Sequence, residues 1–197
     1  MARALLELGR GGVNDVVDIS NADGWIQLRR LLAERCTDMV EVELLARIET
    51  AGAGMTHECL TFFRTLVKAS RGVSSVRRLS LEFDVLPSTL MSRFFRVGLP
   101  APKRYLAFAR LVRAAYLFEN PGFSIANVAN HLEFSSPQSF GRHIRAVMGT
   151  TALSFRREFR GQDMVERLLA ELVVPYRHIL REFNPLTLQA NGKPSVS

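Results

Sequence analysis

Apolar residues recur every three to four positions along most of the chain, which predicts a mainly α-helical protein. Within residues 124–149 the pattern runs twice, with a break at Phe134. Ser124 precedes the first run and Ser136-Pro137 opens the second, as expected for helix N-caps and for proline at the first helical position. The segment therefore predicts two short helices joined by a tight turn. Its inward-facing residues would be Ile125, Val128, Ala129, Leu132, Phe140, Ile144 and Val147.

The same arrangement occurs earlier in the chain. Residues 73–97 predict a short helix, a turn and a second helix that opens at Pro87. Val85 and Phe134 occupy matching turn positions 49 residues apart, which indicates a supersecondary repeat. Between the copies a long helix is predicted from Pro102 to Glu119, before Asn120-Pro121-Gly122. The centre of the chain is thus two helix–turn–helix units joined by a helix. Leu90, Phe94 and Val97 would face inward in the first unit.

The flanking segments are less regular. Residues 1–55 predict a helix over 2–10, a short strand over 13–19, a helix capped by Asn21 or Asp23, and another helix that ends at glycines. Residues 161–197 predict a helix up to Pro175, its continuation beyond a kink, and a disordered tail from Asn184. We therefore divide the chain into an N-terminal segment (1–55), a central domain (56–160) and a C-terminal segment (161–197).

Positive charge is concentrated in the central domain. Residues 56–160 contain 16 Lys and Arg against 6 Asp and Glu, whereas the formal charge of the whole chain is +7. A basic block within a folded segment favours a polyanionic partner such as nucleic acid, although a merely solvated surface is the alternative on charge alone.

Composition and motifs exclude several other classes. No apolar run approaches a membrane span, the first residues are too short and too charged for a signal peptide, and two cysteines without a pairing pattern indicate the cytoplasm. The histidines lack metal-ligand spacing, and the glycine-rich stretches do not form a nucleotide-binding motif. We expect no enzyme activity, no metal and no cofactor. The histidines are His57, His131, His143 and His178.

The second helix of the later unit has a polar face suited to DNA. Gln138, Arg142 and Arg145 recur at i, i+4 and i+7, opposite the apolar face. In a major groove, Gln can pair with adenine and Arg with guanine through two hydrogen bonds each. Together with Ser139, Gln138 and Arg142 are the predicted base contacts, and Arg145 is a predicted phosphate contact.

The earlier unit offers weaker chemistry. Its predicted base contacts are Ser88, Thr89, Met91 and Ser92. Serine discriminates loosely between bases, and methionine can contact only a thymine methyl group. Arg93 and Arg96 flank this face and suit phosphates better than bases. The predicted phosphate contacts are Arg93, Arg96, Lys103, Ser136, Arg145, Arg156 and Arg157.

These motifs resemble the DNA-binding domain of AraC/XylS-family transcriptional regulators over residues 59–159. The later unit carries the specific part of the resemblance, at Ser124, Ile125, Val128, Ala129, Leu132, Phe134, Ser135, Phe140, Arg142, Gly149, Phe155 and Arg156. The earlier unit matches at Val85, Pro87, Leu90, Phe94, Pro102 and Tyr105. The resemblance implies a bacterial transcription factor with a bundle of about seven helices, whose two recognition helices enter successive major grooves.

The chain departs from that family's pattern at four positions. Asp84 and Glu133 stand where glycine is usual in each turn, Ser92 stands where the first recognition helix commonly has arginine, and Ala152 replaces an expected proline. An acidic residue in such a turn costs more than glycine and brings negative charge near DNA. These departures bear on base specificity more than on the fold.

Residues 5–34 also resemble the last helix–strand–helix of a response-regulator receiver domain. The phosphoacceptor half of such a domain is missing, so a packing or dimerisation element is the predicted role.

The predicted function is a sequence-specific DNA-binding regulator of transcription, with double-stranded DNA as partner. RNA polymerase and a second copy bound through the N-terminal segment are further candidate partners, and no membrane partner is expected. The alternative is an all-α protein-interaction adaptor that retains the bundle but has lost DNA specificity, which Asp84, Glu133 and Ser92 would favour.

Overall fold

Helices form most of the described chain, as predicted. The computed structural model describes residues 16–72 and 75–186, and within them it contains helices and no strand. The helices are α1 (Ala22–Ala51), α2 (His57–Ala69), α3 (Val76–Leu81), α4 (Pro87–Arg96), α5 (Pro102–Glu119), α6 (Ile125–His131), α7 (Pro137–Met148), α8 (Ala152–Glu158), α9 (Gly161–Leu172) and α10 (Arg177–Leu180), with a 3-10 turn at Val174–Tyr176. The mainly α fold class is confirmed, with α2 to α8 between residues 56 and 160. No helix of the described residues is long and apolar enough to cross a bilayer.

The N-terminal segment differs from its prediction. The described part of the predicted strand, residues 16–19, contains no strand, because a lone strand has no neighbour to pair with. Instead, the Asp18 carboxylate accepts the Ser20 backbone N–H at 2.9 Å, which stabilises a turn. Residues 13–15 and the predicted first helix lie outside the described residues. The two helices predicted next are one continuous helix, α1, since neither glycine nor proline interrupts residues 25–51.

Asn21 is the cap of α1. Its side-chain oxygen accepts the Gly24 backbone N–H at 2.8 Å, which satisfies one of the free donors at the start of the helix. The chain divides into two compact units, residues 1–35 and 36–197, and α1 contains residues of both. The three-part division made from the sequence stays a prediction.

Helix α5 lies at the centre of the compact unit that begins at residue 36, the larger of the two. It starts at Pro102 and ends at Glu119, as predicted, and it buries residues on every side. Helix α9 packs closely along it: a Cβ atom on Gly161 would lie 2.4 Å from the Tyr116 ring, so only glycine fits at this contact. The buried side chains of α9 are Met164, Val165, Leu168, Leu169 and Leu172.

A buried arginine joins three helices within this unit. Arg113 of α5 is 1% exposed. Its guanidinium donates to the Ser70 hydroxyl at 2.6 Å and the Val67 carbonyl at 2.7 Å, and lies 3.4 Å from the Glu41 carboxylate. Burial lowers the pKa of Arg113 to about 10, and the Glu41 charge acts in the opposite direction. Arg113 thus remains protonated at neutral pH and holds α1, α2 and α5 together.

The C-terminal segment packs against the central domain near its first residues. The helical conformation is interrupted at Pro175, as predicted. The chain continues through α10 to Phe183, which is 3% exposed. The Phe183 ring packs edge-on against Phe94, with centroids 4.8 Å apart, and its carbonyl accepts the Thr56 hydroxyl at 2.8 Å. Residues 187–197, most of the predicted disordered tail, lie outside the described residues.

Candidate nucleic-acid interface

The second helix–turn–helix unit consists of α6 and α7, and local sequence signals define both helices. Ser124 accepts the Asn127 backbone N–H at 3.1 Å, and Ser136 accepts the Ser139 backbone N–H at 3.1 Å, so both predicted N-caps are confirmed. Pro137 is the first residue of α7. Gly149 ends the helix with φ of 70°, a conformation that favours glycine.

The two faces of α7 differ as the sequence predicts. Phe140 and Ile144 are fully buried, whereas Gln138, Arg142 and Arg145 are exposed. The three polar residues line one shallow groove together with Thr151 and Ala152. Two long cationic side chains and one amide are therefore available on the same side of a well-capped helix.

The turn between α6 and α7 is held by α5. Glu133 has φ of 54°, so the position expected to be glycine does adopt the left-handed conformation. Arg110 of α5 donates to the Leu132 carbonyl, and its guanidinium carbon lies 3.8 Å from the centroid of the Phe134 ring. Burial lowers the pKa of Arg110, and the nearby Glu133 charge opposes that change.

His143 extends the contact between α7 and α5. Its ring lies 5.2 Å from that of Phe134, and its Nε2 has no hydrogen-bond partner among the described residues. Burial lowers the pKa of His143, the charges of Arg110 and Lys103 lower it further, and a hydrogen bond with the Ala107 backbone raises it. His143 is therefore a packing residue that is neutral at pH 7.

The first unit, α3 and α4, has the same backbone plan with weaker local signals. Asp84 has φ of 50° at the turn position that matches Glu133. Leu90 and Phe94 are buried and face inward, as predicted. However, α4 begins after Leu86, which provides no side-chain cap.

The arginines of α4 are engaged within the protein. Arg93 donates to the Pro185 carbonyl, so this predicted phosphate contact binds the C-terminal segment in the described structure. Arg96 donates twice to the Ser92 hydroxyl, at 3.2 and 3.1 Å. Burial and the neighbouring Arg96 charge lower the pKa of Arg93.

Both recognition helices border one cleft. Met91 of α4 and His143 of α7 line a cleft of about 430 Å³, with Leu106, Lys103 and Arg110 of α5 between them. Helices α4 and α7 therefore both lie beside the part of α5 that contains Lys103, Leu106 and Arg110.

The remaining predicted contacts are distributed unevenly. Ser88, Lys103 and Arg157 are exposed, and Thr89 is half-buried. Ser139 lies in the α7 cap, where its hydroxyl donates to the Ser136 carbonyl at 2.9 Å. The half-buried Arg156 lies 5.7 Å from the centroid of the Phe118 ring, whereas Arg157 pairs with Glu158 at 3.1 Å. The assignment of these residues to bases or phosphates stays a prediction.

Sequence reasoning missed two contributors to this surface. Phe95 on α4 is 83% exposed, and the i, i+4 spacing from Met91 could have placed it on the same face. Arg110 had no sequence signal, because its ring partner lies 24 positions away. Among the described residues, no group of three or more His, Cys, Asp or Glu side chains could hold a metal ion.

Comparisons with known proteins give matches to the part of the chain that contains these helices. Residues 79–158 match the family described as "Helix-turn-helix domain". A 58-residue stretch is 34% identical to the Msm operon regulatory protein of Streptococcus mutans, covering 29% of this chain and 21% of that protein. No solved structure matches the chain. The family match does not cover residues 1–55, so it gives no support to the receiver-like resemblance. Residues 79–158 thus match a helix-turn-helix domain family, in the segment where the structure places α3 to α8.

Proposed function

We propose that this chain is a sequence-specific DNA-binding regulator of transcription whose helices α4 and α7 enter successive major grooves. The observation that carries the proposal is the exposed face of α7. Gln138 and Arg142 are free of the core and share one groove with Arg145. Their side chains match the hydrogen-bonding edges of adenine and guanine. The domain match and the resemblance to an operon regulatory protein support the same function.

The charge around this face supports binding to the DNA backbone. Lys103, Arg145 and Arg157 are exposed, and the surrounding segment is strongly basic. Neutralising phosphates releases counterions, so affinity should fall steeply as salt rises. Contacts with RNA polymerase, and a homodimer through the N-terminal segment, stay predictions.

The adaptor alternative is favoured by the first unit. The two arginines of α4 donate to Pro185 and Ser92, and Phe95 exposes a large apolar ring that a protein partner could cover. Binding to a partner protein, with no preference for a DNA sequence and no loss of affinity as salt rises, would support this second function.

In vitro selection of random duplex DNA at physiological salt tests the proposal. We expect an enriched motif with two half-elements roughly one helical turn, about 10 base pairs, apart. Enrichment of a single half-element would mean that only one of the two helices recognises bases. No enrichment, with weak binding that disappears as salt rises, would contradict sequence-specific regulation and favour the adaptor.

A further inference from the structure

The exposed face of α4 is apolar where that of α7 is cationic. Met91 is 46% exposed and Phe95 is 83% exposed, one helical turn apart on the same side. Leu90 and Phe94, each one residue earlier, lie about a quarter of a turn round the helix on the buried side, at 0% and 1% exposure. Because the buried residues set the rotation of the helix, Met91 and Phe95 must face away from the core.

The polar residues of α4 leave this face to the apolar side chains. Arg93 donates to the Pro185 carbonyl, and Arg96 donates to Ser92. Ser92 matches Arg142 when α4 and α7 are aligned on Pro87 and Pro137, since the second turn is one residue longer than the first. The Ser92 hydroxyl already accepts hydrogen bonds from within the protein.

This face is continuous with the proposed DNA-binding surface. Met91 lines the cleft between the two recognition helices, together with Lys103 and His143. Met91 is a predicted base contact, and Phe95 lies one helical turn further along the same exposed face, so both side chains would lie beside base edges when α4 enters a major groove. In the major groove the only apolar group on a base edge is the 5-methyl group of thymine.

We propose that α4 recognises thymine methyl groups through Met91 and Phe95, whereas α7 recognises the hydrogen-bonding edges of its bases. The inference rests on the proposed DNA-binding function and adds a specificity-determining residue, Phe95, to it. The two half-elements of the DNA site are then recognised by different chemistry, and the half-element under α4 contains thymine at its most constrained positions.

Deoxyuridine substitution tests this chemistry directly, because deoxyuridine lacks only the methyl group and keeps the same hydrogen-bonding edge. The full chain is titrated with the selected duplex, using fluorescence anisotropy, after thymines of one half-element are replaced. We expect the Kd to rise about fourfold for each contacted methyl group in the α4 half-element, the effect of losing one buried carbon. The same replacement in the α7 half-element is the control and should change the Kd less.

The variant Phe95→Ala completes the experiment. It should weaken binding to the thymine duplex and lose most of its discrimination between thymine and deoxyuridine. Since Phe95 is exposed, an unchanged Tm is expected and verifies that the variant is folded. Leu81→Ala, which removes another exposed apolar side chain from the same unit, is the matched control and should retain the discrimination.

The outcomes separate this inference from the proposed function. Equal affinity for thymine and deoxyuridine, or unchanged discrimination in Phe95→Ala, would overturn the inference while leaving sequence-specific binding intact. Selection of the α7 half-element alone would do the same. If selection enriches no sequence, the proposed function and this inference both fail.

Discussion

The two helix–turn–helix units share a backbone plan but are stabilised in different ways. In the second unit, Ser136 caps the recognition helix, and Arg110 of the adjacent helix covers the turn at Phe134. In the first unit the recognition helix has no side-chain cap, and residues 183–185 from the far end of the chain close it. Matching positions show the contrast, since His143 packs against α5 whereas Arg93 binds Pro185.

The two units therefore share a backbone conformation but depend on different contacts for their stability. The second unit depends on neighbours within the family-matched segment, residues 79–158, and the first depends on residues beyond it. Residues beyond 158 therefore contact the recognition helix of the first unit directly, whereas the turn of the second unit is held by α5. Variants in each unit test this contrast, and the largest effect is expected at Phe183.

Phe183→Ala should destabilise the protein most. The ring is almost completely buried against Phe94, and removing a core phenylalanine costs about 3–5 kcal/mol. Urea denaturation measures the loss, and the exposed Leu153→Ala is the control. Hydrogen exchange should show the lost protection in α4 before α7. Equal loss of protection in both helices would contradict the separate stabilisation of the two units.

Arg110→Ala should destabilise the second unit in the same way, by about 1.5–3 kcal/mol, because it removes a charged hydrogen bond and a cation–π contact. The opening should concentrate in α6 and α7, as measured by hydrogen exchange. Arg104→Ala on the same helix is the control, since it breaks an exposed ion pair with Glu171 and a 5.9 Å contact with the Phe108 ring, each worth at most about 1 kcal/mol. If both variants lose the same stability, Arg110 does not hold the turn.

Arg142→Ala should weaken binding to the selected DNA site by about 1–3 kcal/mol and relax base preference at one position. Ser92→Ala, at the matching position of α4, should change the affinity far less, since its hydroxyl is engaged by Arg96. Anisotropy titrations at constant salt compare the two variants. Unchanged affinity and preference in Arg142→Ala would remove Arg142 as a base contact.

Removing the side-chain cap of α7 and adding one to α4 tests how the two units differ. Ser136→Ala should cost about 1 kcal/mol of unfolding free energy, because it frees a backbone donor of α7. Leu86→Ser should add up to about 1 kcal/mol by supplying the cap that α4 lacks. Thermal unfolding measures both variants, and a loss of stability in Leu86→Ser would show that Leu86 contributes more through packing than a cap would.

The smallest effect concerns pH. Because burial lowers the pKa of His143 below its usual 6.5, the unfolded chain binds a proton more readily there than the folded one. Stability is therefore fully present above about pH 6.5 and declines as the pH falls towards the folded pKa. Urea denaturation at several pH values should show a weaker decline in His143→Gln than in the parent chain. An identical slope in both proteins would exclude a contribution from His143.

Much of the candidate site could be predicted because its signals are local. Ser136, Pro137 and Gly149 define the ends of α7, and the alternation of Phe140 with Arg142 defines its two faces. These signals act within one or two helical turns, so a window of sequence contains them. The predicted N-terminal strand was wrong for a related reason: β-branched residues favour a strand only where another strand lies beside them.

Residues close together in the chain are enough to specify the helical class, the two units, the caps of the second and the polar face of α7. Which side chains are available on the surface depends instead on the tertiary structure. The local sequence does not distinguish Arg93 and Arg110 from exposed arginines. In the structure, however, they donate hydrogen bonds to the carbonyls of Pro185 and Leu132. Phe95, apolar like its buried neighbour Phe94, is left exposed. The physical reason is that burial and hydrogen bonding depend on neighbours distant in the chain, which folding alone brings together.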